Sequence, residues 1–315
     1  MNMIIHTKDV KVSRRLKAAT AIAVLMLHLV SAGSAQAQQL EPRAYSTAPV
    51  GLNIFGVATL FSSGGEVTDP ASPIQNVVAR VSTAIPYYGL TFGLLGRQAS
   101  VTIATPFANA ELHGDVNTVG RSIDRTGVLD PQMRFAMNLL GGPAMTRQEY
   151  RQHKPETTLG ASIVVNAPFG QYDPAKLINL GTNRWACKPE LGLSQPVGDW
   201  IFEVYAGVWL FEANDEYFGG KVRRQEPLAS YQAHIVYEVR PRLWASADYT
   251  YYTGGESTVN GVAQHDRQDN TRGGLTVSVP VGLSQSFKMT YTRGVTVRIG
   301  TKTDTFGVAW QVAWF

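Results

Sequence analysis

The sequence predicts an all-β fold, an antiparallel up-and-down transmembrane β-barrel of about 12 strands. Three observations predict it. Hydrophobicity alternates with a period of two along most of the chain after residue 38, tight turns alternate with long polar loops, and aromatic residues gather at the strand ends. Alternation is the periodicity of a strand with two unlike faces. Unequal loops and aromatic girdles are typical of barrels that cross an outer membrane.

Composition and charge narrow the class of protein. Charged residues make up 17% of the 315-residue chain, below the fraction of about 25% that is usual for soluble domains. The formal net charge is +4, but residues 1–37 hold five basic residues and one acid, so 23 basic and 23 acidic residues remain. A neutral mature chain has no basic surface for phosphates, so we expect no nucleic-acid partner.

Residues 1–37 have the parts of a secretory signal peptide. A basic stretch ends at Lys17, an apolar stretch runs from about Ala18 to Val30, and Ala35-Gln36-Ala37 forms a cleavage site. The apolar stretch is shorter than the roughly 20 residues of a spanning helix, which disfavours an uncleaved anchor. We therefore expect a cleaved signal peptide at 1–37, a periplasmic N-terminal segment at 38–50 and a barrel in the cell outer membrane at 51–315.

Twelve stretches of alternating hydrophobicity are the predicted strands. They lie near 51–61, 77–88, 98–110, 127–139, 157–167, 184–196, 200–211, 228–239, 242–252, 271–281, 284–293 and 303–315. Tight turns are expected at Gly198-Asp199, Arg240-Pro241 and Gly282-Leu283, with a modest turn from Gly89 to Arg97. These turns would all lie at one end of the barrel.

Long polar loops separate the other pairs of strands. They are expected at Ser62–Asn76, Asp115–Arg125, Phe169–Asn183, Asn214–Glu226 and Gly254–Asn270. With both termini periplasmic, an even strand number places these loops outside the cell. One segment breaks the scheme, because Gly141–Pro155 is long at the periplasmic end, and we expect a brief helix there at Met145–Arg151.

The strands carry one apolar face and one polar face. Phe202 and Val204, for example, alternate with Glu203 and Tyr205. Alternation alone does not say whether the apolar face is a soluble core or a surface in lipid. The leader, the loop lengths and the aromatic strand ends favour lipid.

The chain ends in Phe315, and a terminal aromatic residue closing an amphipathic strand resembles the assembly signal of bacterial outer-membrane proteins. We therefore expect Phe315 to be read by the barrel-assembly machinery. The large residues before it, among them Trp310 and Trp314, lie on the opposite face of the strand, which departs from the usual form of that signal.

If the polar faces point inward, the lumen carries balanced charge. The predicted lining residues are Arg80, Arg134, Lys188, Glu190, Glu203, Tyr205, His234, Glu238, Asp248 and Lys288. Four cations face four carboxylates, which predicts weak ion selectivity. Two interpretations stay open: a track of hydrogen-bonding groups for a small solute, or a salt-bridged plug that stabilises the barrel.

Several segments of the mature chain are similar to one known family. They are Leu40 to Asn53, Ser62-Ser63-Gly64-Gly65, Asp69-Pro70 with Pro73-Ile74, Asn166 to Tyr172, and Tyr251-Tyr252-Thr253-Gly254-Gly255. The chain resembles the outer-membrane transporter family named for the meta-pathway of phenol degradation. The resemblance implies a barrel and the passage of small aromatic compounds, and it supplies no catalytic residues to carry over.

The function expected from the sequence is passive passage of small solutes, aromatic compounds among them, without a catalytic, metal or cofactor site. Expected partners are the solute, outer-membrane lipid and lipopolysaccharide. One alternative is a structural or surface-interaction barrel with a closed lumen. Another is a lipid-modifying hydrolase, which would need a serine and a histidine on the lipid face. Ser230 and His234 match this poorly, because His234 is predicted to face inward.

Overall fold

The computed structural model describes residues 41–67, 74–116 and 119–315. The predicted signal peptide lies outside these residues, within which no helix is long and apolar enough to cross a membrane. The elements are β1 (Asn53–Val67), β2 (Ile74–Leu94), β3 (Arg97–Ala104), β4 (Phe107–Val116), β5 (Val119–Val128), β6 (Gln132–Leu140), α1 (Arg147–Gln152), β7 (Thr158–Asn166), β8 (Ala186–Val197), β9 (Trp200–Phe211), β10 (Asn214–Tyr217), β11 (Lys221–Gln225), β12 (Leu228–Arg240), β13 (Leu243–Gly254), β14 (Ser257–Val259), β15 (Val262–Ala263), β16 (Gln268–Val281), β17 (Gln285–Thr296) and β18 (Gly300–Trp314).

One antiparallel sheet closes on itself, because β1 pairs with both β18 and β2. β3 and β4 both pair with β2 and act as one long strand, and β5 and β6 lie beside them in the same way. The breaks fall at Pro106 and Pro131, since proline has no N–H for the ladder. The closed barrel therefore has 12 strands, and each of the 12 predicted strands lies on one of them.

The two ends of the barrel differ. The "terminal end" holds Asn53 and Trp314, which pair directly, and the "loop end" is the opposite one. Tight turns at the terminal end lie within a residue of their predicted positions. The turn expected from Gly89 to Arg97 shrinks to Leu95-Gly96, and both residues have positive φ, as the turn type that matches strand twist requires.

Two of the predicted long loops are mostly strand. β1 runs on to Val67, and β4 and β5 form a hairpin whose last pair is Val116 with Val119. At the loop end these strands extend beyond the part of the barrel whose outer surface is apolar. Polar residues can continue the hydrogen-bonded pairing there, because the strands are in contact with water. Their polarity made them look like loops in the sequence.

The remaining long connections at the loop end carry structure of their own. β10 and β11 lie between β9 and β12, and β14 and β15 lie between β13 and β16. The four form a separate small sheet in the order β10-β11-β14-β15. The connection from β7 to β8, residues 167–185, has no strand.

Exposure decides which face of the barrel points outward. On β9, Phe202 and Val204 are 44% and 55% exposed, whereas Glu203 and Tyr205 are 1% and 2% exposed. If the apolar face of the sheet were the core of a soluble protein, Phe202 and Val204 would be the buried residues. The outer surface is thus the apolar one, as in barrels that cross a membrane.

Candidate functional site

Nine of the ten predicted lining residues lie on the inner wall of the barrel. They are Arg134, Lys188, Glu190, Glu203, Tyr205, His234, Glu238, Asp248 and Lys288. Each shares a strand face with buried neighbours, as Lys288 does with Ser286 and Thr292 on β17. The period-two pattern was sufficient to place them.

Arg80 was wrongly assigned to the lumen. It is exposed, and its neighbour Val81 points inward, where it packs with Ala108, Ala110 and Leu180. At the loop end the inner face of β2 is apolar because the connection from β7 to β8 folds against it. The rule that polar residues face inward therefore fails there.

Residues 41–52, most of which were expected as a periplasmic segment, instead run across the inside of the barrel. Their backbone N–H groups donate to side chains of the wall: Glu41 to Gln232 Oε1 at 3.3 Å, Arg43 to Glu203 Oε2 at 2.7 Å, Ala44 to the Tyr205 hydroxyl at 3.2 Å and Ala48 to Gln98 Oε1 at 2.7 Å. The segment, called the crossing segment below, thus follows the wall from β12 to β3. Because the crossing segment occupies part of the barrel interior, it narrows the lumen.

Tyr45 holds the middle of the crossing segment in a notch formed by two glycines. Gly160 on β7 and Gly192 on β8 pair directly, and a Cβ on either would overlap the Tyr45 ring. The hydroxyl lies 2.9 Å from Ser162 Oγ and donates to Glu190 Oε1 at 3.1 Å. Tyr45 is 2% exposed, so the notch encloses it almost completely.

Two further side chains enclose the Tyr45 ring. The guanidinium of Arg134 lies 5.0 Å from the ring centroid, and the Tyr205 ring packs edge-on with centroids 5.1 Å apart. Arg134 Nη1 also donates to the carbonyl of Ala44 at 3.3 Å. Cation–π and edge-to-face contacts are both attractive, so the segment is fixed by its ring as well as by its backbone.

The charges at the centre of the barrel are paired. Lys188 Nζ lies 2.8 Å from Glu190 Oε2, Arg43 Nη1 lies 2.6 Å from Glu238 Oε2, and Arg134 Nε lies 3.8 Å from Glu41 Oε2. The crossing segment supplies one member of the last two pairs. Arg43 and Glu41 add one charge of each sign, so the crossing segment leaves the net charge of the predicted lining unchanged.

The segment at residues 141–157, for which the sequence offered no role, supports the crossing segment at the terminal end. Met145 accepts a hydrogen bond from Val50 N at 2.8 Å, and the Tyr150 hydroxyl donates to the Thr47 carbonyl at 3.1 Å. Helix α1 begins there with a capping box between Thr146 and Glu149. The predicted brief helix is thus present, and its Tyr150 holds the crossing segment at the terminal end of the barrel.

The connection from β7 to β8 narrows the loop end. Asp130, 1% exposed, accepts hydrogen bonds from Gly170 N, Thr182 N and Thr182 Oγ1 at 2.9, 2.9 and 2.6 Å. Leu180 of the same connection packs on Ala108 and Ala110. Asp130 thus holds the connection over the inner face of the barrel.

Below that connection an aromatic cluster lines the inner wall. Trp209, Tyr252, Leu228, Val164 and Ala186 pack together, each at most 8% exposed. Lys188 Nζ lies 5.6 Å from the Trp209 ring centroid. The lumen therefore changes from paired charges at its centre to aromatic side chains towards the loop end.

The geometry offers little for a hydrolase. Ser230 and His234 both point into the barrel and are four residues apart on β12. At about 3.3 Å per residue this separates their Cα atoms by about 13 Å, too far for a nucleophile and its base. Among the described residues there is also no group of three or more side chains placed to hold a metal ion.

Sequence reasoning missed the residues of the crossing segment, chiefly Arg43 and Tyr45. A weak signal existed, since Gly160 and Gly192 stand at inward positions of strands, where glycine often marks the close approach of another group. Nothing in the local sequence of residues 41–52 says that they fold back into the barrel.

Comparisons with known proteins agree with this geometry. The profile of a family described as "Putative MetA-pathway of phenol degradation" matches residues 61–310. An outer-membrane channel from Pseudomonas putida F1 superposes with a TM-score of 0.74 at 21% identity, covering 88% of this chain and 100% of that one. The β domain of the Bordetella autotransporter BrkA follows at a TM-score of 0.50 and 11% identity, covering 84% and 100%. No curated protein sequence gives a match. The two structures are similar to this chain in fold.

Proposed function

Because the chain belongs to the MetA-pathway phenol-degradation family, we propose that it is an outer-membrane channel through which small solutes, aromatic compounds among them, pass down their gradients. One observation carries the proposal. The lumen is lined by polar and charged side chains and is crossed by a segment held through hydrogen bonds. A barrel serving only as a scaffold would gain more from a close-packed apolar interior.

The orientation follows from the loop lengths. The terminal end would face the periplasm and the loop end the outside. The apolar outer surface would contact outer-membrane lipid and lipopolysaccharide, and Phe315 would present the C-terminus to the assembly machinery. Phe315 lies just past β18 with the Arg147 guanidinium 4.8 Å from its ring centroid, so such recognition would precede the docking of α1. Outer-membrane fractionation and a mature N-terminus at Gln38 would support the predicted export.

The test is solute flux into proteoliposomes that hold the refolded mature chain. We expect phenol-type carboxylates, whose charge slows their passage through bare lipid, to enter faster than sugars of similar size. A Tyr45→Ala variant should raise the flux because the crossing segment loses its anchor. Tyr231→Ala, on the exposed outer face, is the matched control and should leave the flux unchanged.

A closed structural barrel is the second candidate, and the occlusion of the lumen by the crossing segment favours it. The same experiment separates the two. If correctly folded wild-type and Tyr45→Ala barrels both leave vesicles as tight as empty ones, the channel proposal is wrong and the closed barrel stands. Folding is checked by the shift in gel mobility on boiling.

A further inference from the structure

Asp248 fixes the tautomer of the neutral His234 ring. Its Nδ1 lies 2.8 Å from Asp248 Oδ1, and Asp248 Oδ2 accepts from Ser246 Oγ at 3.1 Å and from Thr276 Oγ1 at 2.9 Å. A carboxylate that receives two hydroxyl donors on one oxygen takes the imidazole N–H on the other. The proton of the neutral ring therefore resides on Nδ1, and Nε2 presents a lone pair.

That lone pair has no protein partner. Nε2 of His234 is buried without a hydrogen bond within the described part of the chain, and so are two side-chain atoms on the same face of β12, Ser230 Oγ and Gln232 Nε2. All three residues are at most 3% exposed. Buried polar atoms are nearly always bonded to something, so a molecule in the lumen would gain hydrogen bonds at this row of three.

The crossing segment contacts the middle of this row, at Gln232. Glu41 N donates to Gln232 Oε1, and Arg43 N donates to Glu203 Oε2. Glu203 is the cross-strand partner of His234, so the segment passes beside the strand positions that hold the imidazole. A solute that binds at Gln232 and His234 would compete with residues 41–43 for the polar groups of this part of the wall.

The chemistry around His234 selects among solutes. The Tyr205 ring lies 5.1 Å from the imidazole centroid, which suits a flat aromatic molecule. Glu203 and Asp248 stand on either side of His234 in the sheet, which disfavours an anion. In the tautomer that Asp248 fixes, Nε2 is an acceptor, which favours a molecule that brings a hydrogen-bond donor.

We propose that His234 binds the hydroxyl group of a neutral hydroxylated aromatic solute. The hydroxyl donates to Nε2, the ring lies against Tyr205, and Gln232 Nε2 can donate to an oxygen of the solute. Asp248 is a positioning residue, because it fixes the tautomer without touching the solute. This site rests on the proposed function only in requiring that solutes enter the lumen.

The test compares 4-methylphenol with 4-methylanisole, which differ in the donor hydrogen. Binding to the full mature barrel in detergent is measured by titration, and the histidine ¹⁵N signals are followed by NMR. We expect the phenol to bind about tenfold tighter, on the order of one well-placed hydrogen bond, and to shift the His234 Nε2 signal. The ether is the more hydrophobic of the two, so partitioning alone would give the reverse order.

Two variants test whether His234 is the group that accepts from the hydroxyl. His234→Phe should remove the preference while keeping a ring in place, and His113→Phe, at an exposed position on β4, should preserve it. Equal binding of both probes to the wild type would overturn the hydroxyl site and leave the channel proposal intact. Absence of flux for every solute would count against the channel, while the detergent titration would still decide the site. The wild-type comparison needs no variant, so a folding defect in His234→Phe does not weaken it.

Discussion

Two paired glycines decide where the crossing segment sits. Gly160 and Gly192 leave a notch that the Tyr45 ring fills, with the Tyr205 ring also close to Gly192, and the Tyr45 hydroxyl reaches Ser162 and Glu190. Gly160→Ala would place a methyl group inside the Tyr45 ring, the group nearest to it, and expel the ring. We expect the bound segment to lose about 1–3 kcal/mol, which raises the released population by between about fivefold and 150-fold. Single-channel conductance should rise accordingly.

The control for this substitution is Gly120→Ala, whose new Cβ would meet only Asp115 Oδ1 at an ordinary distance. It should leave the conductance unchanged. Combining Gly160→Ala with Tyr45→Ala gives a double-mutant cycle. If the two effects simply add, the glycine does not act through the ring and the notch is not the anchor.

At the scale of elements, α1 offers a switch that depends on pH. Hydrogen bonds from the backbone and the hydroxyl of Thr146 lower the pKa of Glu149 below its ordinary value. A lowered pKa means that the capping box stabilises α1 above the carboxyl's ordinary range and is lost as the pH falls through the lowered pKa. Because α1 holds Thr47 through Tyr150, acidification should loosen the crossing segment.

The measurement is hydrogen exchange of residues 141–157 and conductance, both across an acid titration. After correction for the intrinsic slowing of amide exchange at low pH, the opening of residues 141–157 and the conductance should rise together in the wild type. Glu149→Gln keeps a side chain that can accept at the same position but does not titrate, so its curve should be flat. A titration that persists unchanged in Glu149→Gln would assign the effect to another group.

The elements show which physical signals the sequence carries. Strands such as β9 are predictable because each residue meets lipid or lumen in turn, which imposes a period of two on Phe202 to Tyr205. The extensions of β1, β4 and β5 were taken for loops, because a ladder in water needs no apolar face. The inward position of Ser230, Gln232 and His234 could be predicted from the alternation along β12. The crossing segment beside them could not, because the contacts of Glu41 and Arg43 join residues about 160 to 190 positions apart.

At the scale of the whole molecule, the lumen holds two constrictions in series. The crossing segment narrows the terminal end, and the connection from β7 to β8, held by Asp130, narrows the loop end. Resistances in series add, so opening one constriction leaves the other in control. The size of the conductance is therefore set mainly by the tighter of the two constrictions.

This arrangement predicts how two substitutions combine. Tyr45→Ala should raise single-channel conductance to a limit set by the loop end. Asp130→Ala should release Gly170 and Thr182 and, alone, change conductance little. Together they should exceed the sum of their separate gains, with Asp215→Ala, which removes an exposed acid near the same end, as the control for charge. If the two increases in conductance merely add, ions take two independent routes through the barrel. The crossing segment would then not lie on the route through the loop end.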